Sequence, residues 1–384
     1  MKKYLVSGIG VSDGGVGRLM RKLIVQAAAE GFSVIVRRNP QPIGRMLKHK
    51  MYLRVAAEVL SRLVDSARFA WRVRSIDGAV VVFVHPQTAG FSRFIDMVRK
   101  NKVYLYVMDN SFFCMRSYNL HPELEAECLK CLSGPRNAMP TCQPFPVKVR
   151  REENIDFLEE FERLSSKVIF LTQNFSQAQL IRARFGAGTQ TRVVGLDTGE
   201  IASVKHSEFE VADVLMPSYD LVFHGAPQLA KGIRYFVELA ESLSEFSAFI
   251  PSSREQCELA LGRKIDAANI TFKECTWETG LKCAIQKGHL VVNPSLWSAP
   301  IEGALQKSMH FAQRVAVVES EFGYEKEFEQ SSSFIRLPRD IQAASDLLRQ
   351  YFPGAVFESV QKEEVNMPSR ECINVFEMVM SNEV

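Results

Sequence analysis

The sequence predicts an α/β protein built from two doubly wound, Rossmann-like domains, and two observations carry this prediction. Short apolar segments such as AVVVFVH and HLVVNPS alternate with amphipathic segments along most of the chain, a pattern typical of buried parallel strands connected by helices. The 384 residues also exceed one ordinary core and suit two domains of common size.

The first half of the chain contains the elements of one such domain. The strand KYLVSGIG, the glycine turn SDGGVGR, a helix ending at Gly31 and the strand SVIVRR form a βαβ unit. Residues 45 to 74 predict one long or broken basic helix, and AVVVFVH, KVYLYVMD, KVIFLT and TRVVG predict further strands, with helices at 151 to 164 and 174 to 185. We expect this domain to span residues 1 to 200, with a cysteine-rich insertion at 110 to 146.

A second series begins after a connector of weak periodicity. The strands DLVFHG, SAFI, ITFK, HLVVNPS and RVAVVES alternate with helices at 231 to 244, 253 to 264, 277 to 287 and from about 300. We expect a second domain at residues 201 to 366 and a final helix at 367 to 384 that returns to the first. Since doubly wound sheets bind ligands at the carboxyl ends of their strands, we expect a site in a cleft between the domains.

Charge is divided unevenly along the chain. The net charge is +3, but residues 1 to 110 hold 19 Lys and Arg against 7 Asp and Glu, while the remainder holds 28 against 37. A basic half suits an anionic partner such as a phospholipid surface, a lipid-linked phosphate or a nucleic acid, although a merely solvated basic face is the alternative. No segment has the length of a membrane span or the form of a signal peptide, so we expect a cytoplasmic protein.

The first glycine turn does not match the common nucleotide motifs. Asp13 stands where the dinucleotide fingerprint needs its third glycine, and no Gly-Lys-Ser/Thr follows, which disfavours a dehydrogenase or an NTPase. Gly14, Gly15 and Gly17 instead lie at a helix N-terminus, where free N–H groups favour an anion or a sugar hydroxyl. A plain tight turn would explain these glycines equally well.

The second half carries a candidate phosphate site in two stretches. In LVFHGAPQLAKG, a strand ends near Gly225 and Lys231 opens the next helix, so its ammonium group suits a phosphate. In NPSLWSAPIEGALQKS, a strand ends at Asn293 to Ser295, and we expect Ser298 as the N-cap.

The helix of that second stretch places an acid beside amides that favour anions. We expect Glu302 in the first turn, next to the amides of Gly303 and Ala304, which form a candidate diphosphate cradle. The plain alternative for Glu302 is a first-turn acid stabilised by the helix dipole.

Taken in order, these motifs resemble the GT-B glycosyltransferases, and within them the large retaining family that includes sucrose synthases and bacterial polysaccharide and lipopolysaccharide enzymes. The family's GGVGRH-like turn is matched by residues 14 to 18, including Arg18. Its GRL…KG pattern is matched in part by Gly225 and Lys231, and its PS strand end by Pro294 and Ser295. The resemblance spans most of the chain.

The resemblance implies a hexosyltransferase, acting with retention, that moves a sugar from a nucleoside-diphosphate-sugar donor to a hydroxyl of a glycan or lipid-linked saccharide. It implies no catalytic metal and no nucleic-acid partner. The donor would bind in the second domain through Gly225, Lys231, Asn293, Ser295, Glu302, Gly303 and Ala304. The acceptor would lie in the first domain near the glycine turn.

Two further residues follow from the resemblance, and three positions depart from it. His85 and Asp109 stand after strands where the family has polar acceptor-side residues, so with Glu302 they are the candidate catalytic groups. Ala226 replaces a diphosphate-binding arginine, and Ala299 and Lys307 replace two glutamates. The sequence therefore leaves open a sugar-nucleotide epimerase or a non-catalytic binding subunit on the same architecture.

Two predictions concern metal and membrane. Cys114, Cys128, Cys131 and Cys142 lie in one short segment with a CxxC pair, so a structural zinc site is a hypothesis, alongside an iron–sulfur cluster or unliganded thiols. The basic helix at 45 to 74 suits peripheral association with anionic lipid on the inner face of the membrane, unless Leu63, Phe69 and Trp71 face the core.

Overall fold

The computed structural model describes residues 1–12, 15–41, 43–145, 147, 149–196, 216–328, 331, 333–355 and 373–381. Its contacts divide the chain into two compact units. The first unit comprises Met1–Ser117, Lys130–Ser203 and Arg370–Val384, and the second comprises Tyr118–Leu129 and Val204–Ser369. Part of the cysteine-rich segment, residues 118 to 129, is therefore built into the second unit.

The first unit contains a parallel sheet of six strands in the order β2-β1-β3-β4-β5-β6. The strands are β1 (Lys3–Ser7), β2 (Ser33–Val36), β3 (Val80–Val84), β4 (Lys102–Tyr106), β5 (Val168–Thr172) and β6 (Thr191–Val193). All five residues of β3 are buried, because helices cover both faces of a doubly wound sheet. The strand order reverses between β1 and β3, which pair with Leu5 opposite Val82.

The helices of the first unit follow the predicted alternation. They are α1 (Gly15–Ala29), α2 (Ile43–Lys48), α3 (Tyr52–Arg74), α4 (Pro86–Ala89), α5 (Phe91–Lys100), α6 (Arg151–Leu164) and α7 (Phe175–Phe185). The long basic segment is thus a broken helix, divided between α2 and α3. Helices α5 and α6 pack through stacked rings of Phe91 and Phe157, whose centroids lie 3.9 Å apart.

The second unit contains another parallel six-stranded sheet, in the order β12-β11-β10-β7-β8-β9. Its strands are β7 (Leu221–Phe223), β8 (Ala248–Ile250), β9 (Ile270–Phe272), β10 (Leu290–Asn293), β11 (Val315–Val318) and β12 (Phe334–Leu337). Here the order reverses between β7 and β10, which pair with Val222 opposite Val291. The predicted α/β class with two doubly wound domains is confirmed.

The remaining helices are α8 (Ile233–Ser242), α9 (Arg254–Leu261), α10 (Lys282–Lys287), α11 (Gly303–Phe311), α12 (Ile341–Tyr351) and α13 (Val375–Ser381). The sequence pattern missed β12 and α12, which complete the second sheet. Helix α13 belongs to the first unit, where the rings of Phe376 and Phe32 lie 4.9 Å apart. In the described part of the chain, no helix is long and apolar enough to span a bilayer.

Candidate functional site

The candidate site of the second unit lies where its strand order reverses, at the carboxyl ends of β7 and β10. The Asn293 Nδ2 donates a hydrogen bond to the His224 carbonyl oxygen, 2.7 Å away, so the two strand ends are tied together. The buried Asn293 Oδ1 has no hydrogen-bond partner among the described residues. Ligands of open α/β sheets bind at such a reversal of strand order.

Lys231 and Glu302 form an ion pair at this edge. The Lys231 Nζ donates to the Glu302 Oε1, and the Ser295 Oγ donates to the Glu302 Oε2 at 2.7 Å. The Lys231 ammonium also lies 4.9 Å from the centre of the Trp297 ring and 5.4 Å from that of Tyr118. Both side chains are largely covered, with 22% of Lys231 and 11% of Glu302 exposed. Lys231 is therefore held as a preorganised cation.

The close approach of two loops explains how Lys231 reaches Glu302. Gly232 follows it with φ +75°, and a Cβ at Gly232 would lie 1.9 Å from the Pro294 carbonyl oxygen. The Leu296 amide then donates to the Ala230 carbonyl oxygen at 3.0 Å. Only a glycine allows this backbone contact, which fixes the loop before α8 against the end of β10.

The predicted start of α11 is wrong by several residues. The helix begins at Gly303, so Glu302 is the N-cap residue rather than a first-turn residue, and its side chain makes no capping bond. Ser298 is not the N-cap. It donates through its hydroxyl to Glu127 and through its amide to the Asn119 Oδ1, 3.0 Å away. These long-range bonds to residues far away in sequence outcompete the local capping preference.

The amides for which anion binding was predicted lie at the start of α11. The Gly303 and Ala304 N–H groups belong to the first turn, where a helix offers no carbonyl partner of its own. Gly225 lies beside the same edge, since a Cβ there would be 3.6 Å from the Lys231 carbonyl oxygen. The donor-side residues predicted from sequence thus cluster at one edge of the second sheet.

His224 is a polar residue of this edge that the sequence argument did not select. It is buried, and its Nδ1 lies 2.8 Å from the Ser308 Oγ. Burial, with a smaller effect of the Lys307 charge, lowers the pKa of His224 to about 3. The imidazole is therefore neutral over the physiological range. Its position directly after a buried strand was the available signal.

Glu127 is another residue that the sequence did not indicate, and its carboxylate accepts a hydrogen bond from Ser298. The Glu127 side chain, 3% exposed, accepts hydrogen bonds from the amides of Glu321 (2.6 Å) and Phe322 (3.2 Å). Arg339 adds a contact at 3.3 Å. Glu127 thus stabilises the loop after β11, and this contact brings part of the cysteine-rich segment into the second unit.

The acceptor-side candidates of the first unit meet at the carboxyl ends of β3 and β4. The His85 Nε2 lies 3.7 Å from the Asp109 Oδ2, and the His85 Nδ1 lies 2.9 Å from the Thr88 Oγ1. Burial lowers the pKa of His85, while the Asp109 charge opposes this shift. His85 also has φ +57°, a left-handed conformation that a non-glycine residue rarely adopts and that often marks functional sites.

The glycine turn is only partly within the described residues. Gly14 lies outside them, whereas Gly15 begins α1. A Cβ at Gly17 would lie 2.0 Å from the Ser12 Oγ, so the turn folds tightly against the helix start. Arg18 follows in the first turn of α1. A plain structural reason is therefore present for Gly17.

The structure does not support the zinc hypothesis for the four cysteines. Cys128 belongs to the second unit, whereas Cys114, Cys131 and Cys142 belong to the first. Among the described residues, no group of three or more Cys, His, Asp or Glu side chains is arranged to hold a metal ion. A hydrogen bond with Cys114 and the nearby arginine charges instead lower the pKa of Cys131, against the effect of burial. The CxxC spacing alone was therefore not a sufficient signal for a metal site in the described part of the chain.

Comparison with known proteins adds evidence on the fold. No family model matches the sequence, and no curated protein matches it significantly. Sucrose-phosphate synthase from Thermosynechococcus elongatus is similar in structure, with a TM-score of 0.55, 11% identity, and coverage of 99% of this chain and 94% of that one. The α,α-trehalose-phosphate synthase (UDP-forming) from Burkholderia vietnamiensis has a TM-score of 0.52 and 11% identity over 100% and 98% of the two chains.

The chain has the fold of GT-B glycosyltransferases. A UDP-GlcNAc 2-epimerase from Neisseria meningitidis also matches over 100% of this chain and 99% of that one, at 12% identity, but its TM-score of 0.46 is too low to carry an argument. The resemblance expected from the motifs is confirmed at the level of fold. At identities of 11%, the activity has to be argued from the residues of this chain.

Proposed function

We propose that this GT-B-like chain is a glycosyltransferase that moves a hexosyl group from a nucleoside-diphosphate-sugar donor to a hydroxyl of a glycan or lipid-linked saccharide. The observation that carries the proposal is the edge formed by Lys231, Ser295 and Glu302 at the strand reversal of the second sheet. A cation and the first-turn amides of a helix at one place favour a diphosphate.

The chemistry follows from the charge that develops on the leaving group. When the bond between the sugar and the diphosphate breaks, negative charge grows on the diphosphate oxygens. In our proposal, the Lys231 ammonium and the amides of Gly303 and Ala304 stabilise that charge, and their fixed positions reduce the cost of reorganisation. Ser295, Asn293 and Gly225 shape the pocket around the sugar and the diphosphate.

Glu302 has two roles in the proposal. Its Oε1 holds Lys231 in the free protein, and when the donor arrives its carboxylate contacts a hydroxyl of the donor sugar or ribose. We expect Glu302→Gln to lower turnover about tenfold or more, equal to about 1.4 kcal/mol of transition-state stabilisation. The amide oxygen introduced by this substitution can still accept from Lys231 and Ser295, so we expect the free energy of unfolding to fall by about 1–3 kcal/mol for the lost charge of a largely covered pair. Near-normal turnover of this variant would rule out the role.

On the acceptor side, we propose that His85 binds or deprotonates the attacking hydroxyl, with Asp109 orienting the imidazole. The lowered pKa of His85 keeps it neutral near pH 7, the state in which an imidazole accepts a proton. The glycine turn at Gly14, Gly15 and Gly17, with Arg18, lies in the same unit as His85 and would contact the acceptor. Retention of configuration is proposed from the family resemblance alone.

One experiment separates this proposal from its rivals. Thermal shift against a panel of nucleoside diphosphates identifies the donor base, and NMR then follows the matching nucleotide-sugars with and without saccharide acceptors. We expect acceptor-dependent release of the nucleoside diphosphate and a product of retained anomeric configuration. Conversion of the donor without an acceptor would instead identify an epimerase, and binding without turnover a non-catalytic subunit.

We further propose that the acceptor side associates with anionic membrane lipid through α3. Leu53, Leu60, Val64 and Trp71 lie on one face of this helix, and Leu53 is 88% and Trp71 74% exposed. Leu63 is also exposed, whereas Phe69 faces the core. An exposed apolar face on a helix is typical of binding to a bilayer interface or to another protein.

The charges beside this face favour lipid. Arg54, Arg68 and Arg72 are exposed on the same helix, whereas the two carboxylates of α3, Glu58 and Asp65, pair with arginines of the first unit. A membrane surface rich in anionic headgroups would accept these arginines while the leucines and the tryptophan enter the interface.

Vesicle sedimentation tests whether α3 binds anionic lipid. We expect binding to vesicles of phosphatidylglycerol and phosphatidylcholine, and weak binding to phosphatidylcholine alone. The double variant Leu60→Gln, Trp71→Gln abolishes the binding, whereas Leu259→Gln, at an 85% exposed leucine of the second unit, leaves it intact. Self-association that depends on Leu60 and Trp71, without vesicle binding, would show that a second copy covers this face.

A further inference from the structure

A cavity of about 300 Å³ opens in the first unit, and one of its wall residues, Thr88, also bonds to the His85 ring. It lies at the carboxyl ends of β1 and β2, between Gly8 and Ile9 on one side and the segment from Arg37 to Pro40 on the other. Arg62 and Asp65 of α3 and Thr88 of α4 complete its walls. No step of the proposed sugar transfer uses this cavity.

Three guanidinium groups line the cavity. Arg37 is engaged on all sides, because it donates to the Thr88 carbonyl oxygen and the Ser66 Oγ, each at 2.8 Å, and its Nε lies 3.9 Å from Asp65. It forms part of the wall. Arg38 and Arg62 differ. Among the described residues, Arg38 bonds only through Nη2, whereas Arg62 bonds through Nε and also through Nη2, which donates to the Gln41 carbonyl oxygen, so the Nη1 of each stays open. Each side chain is partly exposed, by 44% and 37%.

A buried carboxylate orients these two arginines. The Glu58 side chain is 6% exposed, and its Oε2 accepts from the Arg38 Nη2 at 2.6 Å. Its Oε1 accepts from the Arg62 Nε at 3.0 Å and from the Gln41 amide at 2.9 Å. The hydrogen bond from Arg38, followed by that from Arg62, lowers the pKa of Glu58 to about 2, so the carboxylate stays ionised at neutral pH.

The balance of charge in and behind the cavity is positive. Glu58 and Asp65 offset two of the three arginines, which leaves one net positive charge and the open donors of Arg38 and Arg62. An arginine held by a carboxylate loses little conformational entropy when it binds a ligand, because its orientation is already fixed. Planar guanidinium groups with free N–H pairs match the oxygens of a phosphate group.

We propose that this cavity binds a phosphate group, as a phosphomonoester or phosphodiester, through Arg38 and Arg62 oriented by Glu58. The proposal adds a ligand group that the sugar donor does not supply, and where the phosphate belongs to the acceptor it rests on the proposed function. The phosphate could belong to a small phosphorylated saccharide, to a lipid-linked acceptor or to inorganic phosphate, and these sources share the same chemistry.

The test measures phosphate binding by isothermal titration calorimetry, with inorganic phosphate, glucose 6-phosphate and phosphatidylglycerol vesicles as separate probes. We expect saturable binding of at least one probe that weakens at least tenfold in Arg38→Ala and in Arg62→Ala. Arg192→Ala is the control, because Arg192 is an exposed arginine of the first unit that neither lines the cavity nor belongs to α3. Vesicle binding that depends on Arg38 identifies a lipid phosphate, and binding of the soluble probes alone identifies a free phosphate or a sugar phosphate.

Two further variants keep the result interpretable. Arg38→Lys retains the positive charge beside Glu58 but loses the planar fork, so binding that weakens in this variant at an unchanged melting temperature excludes unfolding as the cause. Lys231→Ala removes the candidate phosphate site of the second unit and should leave the Arg38-dependent binding intact. Phosphate binding that is equal in the wild type, Arg38→Ala and Arg192→Ala would overturn the inference, even if nucleotide binding is found. Failure of nucleotide binding with Arg38-dependent phosphate binding would overturn only the proposed sugar transfer.

Discussion

The carboxyl edges of the two sheets differ in which residue has a left-handed backbone and in whether the positive charge is paired. In the second unit the left-handed residue is Gly232, next to Lys231, whose charge is matched by Glu302. In the first unit it is His85, a residue with a Cβ, near a cavity that keeps unmatched guanidinium donors. The second edge is thus packed and charge-balanced before any ligand arrives, whereas the first holds a strained imidazole and excess positive charge.

The left-handed backbone therefore has to be explained separately at Gly232 and at His85. Gly232 has a structural reason, since the Pro294 carbonyl oxygen leaves no room for a Cβ. His85 is instead the N-cap residue of α4 and bonds through its ring to Thr88, and a left-handed non-glycine residue costs about 1–2 kcal/mol. The surrounding fold sustains that cost, which favours a role for the imidazole itself. Substitutions at the two edges can test this contrast.

The largest effect is expected at Lys231. Lys231→Ala removes the cation that would stabilise the leaving diphosphate, so we expect turnover to fall about 1,000-fold, with weaker nucleotide binding. Kinetics and calorimetry with the nucleotide selected by the panel measure both. Lys287→Ala, at an exposed lysine of the same unit, is the control. Equal losses of turnover and nucleotide binding in the two variants would show that Lys231 does not stabilise the leaving diphosphate.

The packing of the second edge is tested at Gly232. Gly232→Ala should lower the free energy of unfolding by about 3 kcal/mol, because it combines positive φ with a clash. Gly262→Ala is matched in φ, at +69°, but its Cβ would meet no atom within 4 Å, so we expect a loss of about 1 kcal/mol. Denaturant unfolding compares the two. Equal losses of unfolding free energy in the two variants would mean that the backbone near Pro294 shifts to make room for the added Cβ.

The role of the first edge is tested at His85. His85→Asn removes the imidazole but tolerates a left-handed backbone, so the fold should remain. We expect sugar transfer to fall about 100-fold, while nucleotide binding stays at the wild-type level because that site belongs to the second unit. A stable variant with unchanged transfer would make His85 purely structural and would remove the contrast between the edges.

A smaller effect concerns pH and His224. Its pKa of about 3 lies below the ordinary value of 6.5, so the unfolded chain binds a proton below pH 6.5 that the folded chain excludes. Stability therefore falls with decreasing pH, by about 1.4 kcal/mol per unit, or about 2 kcal/mol at pH 5. Burial raises the pKa of Glu325 to about 6, which gives the opposite slope between pH 4.5 and 6.

The His224 contribution is isolated by subtraction. Glu325 is common to the wild type and to His224→Gln, so the difference between their unfolding free energies across pH reports His224 alone. We expect that difference to shrink as pH falls from 6.5 to 5. A constant difference would mean that the buried imidazole takes up its proton without cost.

Much of the fold was available from the sequence, because strand and helix patterns are local. The sequence predicted the bounds of β3 and of the acid-rich helix α6 within a residue or two. A continuous apolar run and a helical periodicity can both be recognised from neighbouring residues alone. The pattern did not reveal β12 and α12, and it placed the start of α11 near Pro300 because it could not anticipate the bonds of Ser298.

The sequence by itself determined the alternation of strands and helices, the uneven charge and the residues that end each strand. Only the tertiary structure decided which of these meet. It paired Lys231 with Glu302 across 71 positions of sequence and exposed Trp71 while burying Phe69. It also assigned Cys128 to a different unit from its CxxC partner. The physical reason is that pairing across a sheet edge depends on strand order, and strand order is set by packing between distant segments rather than by any local pattern.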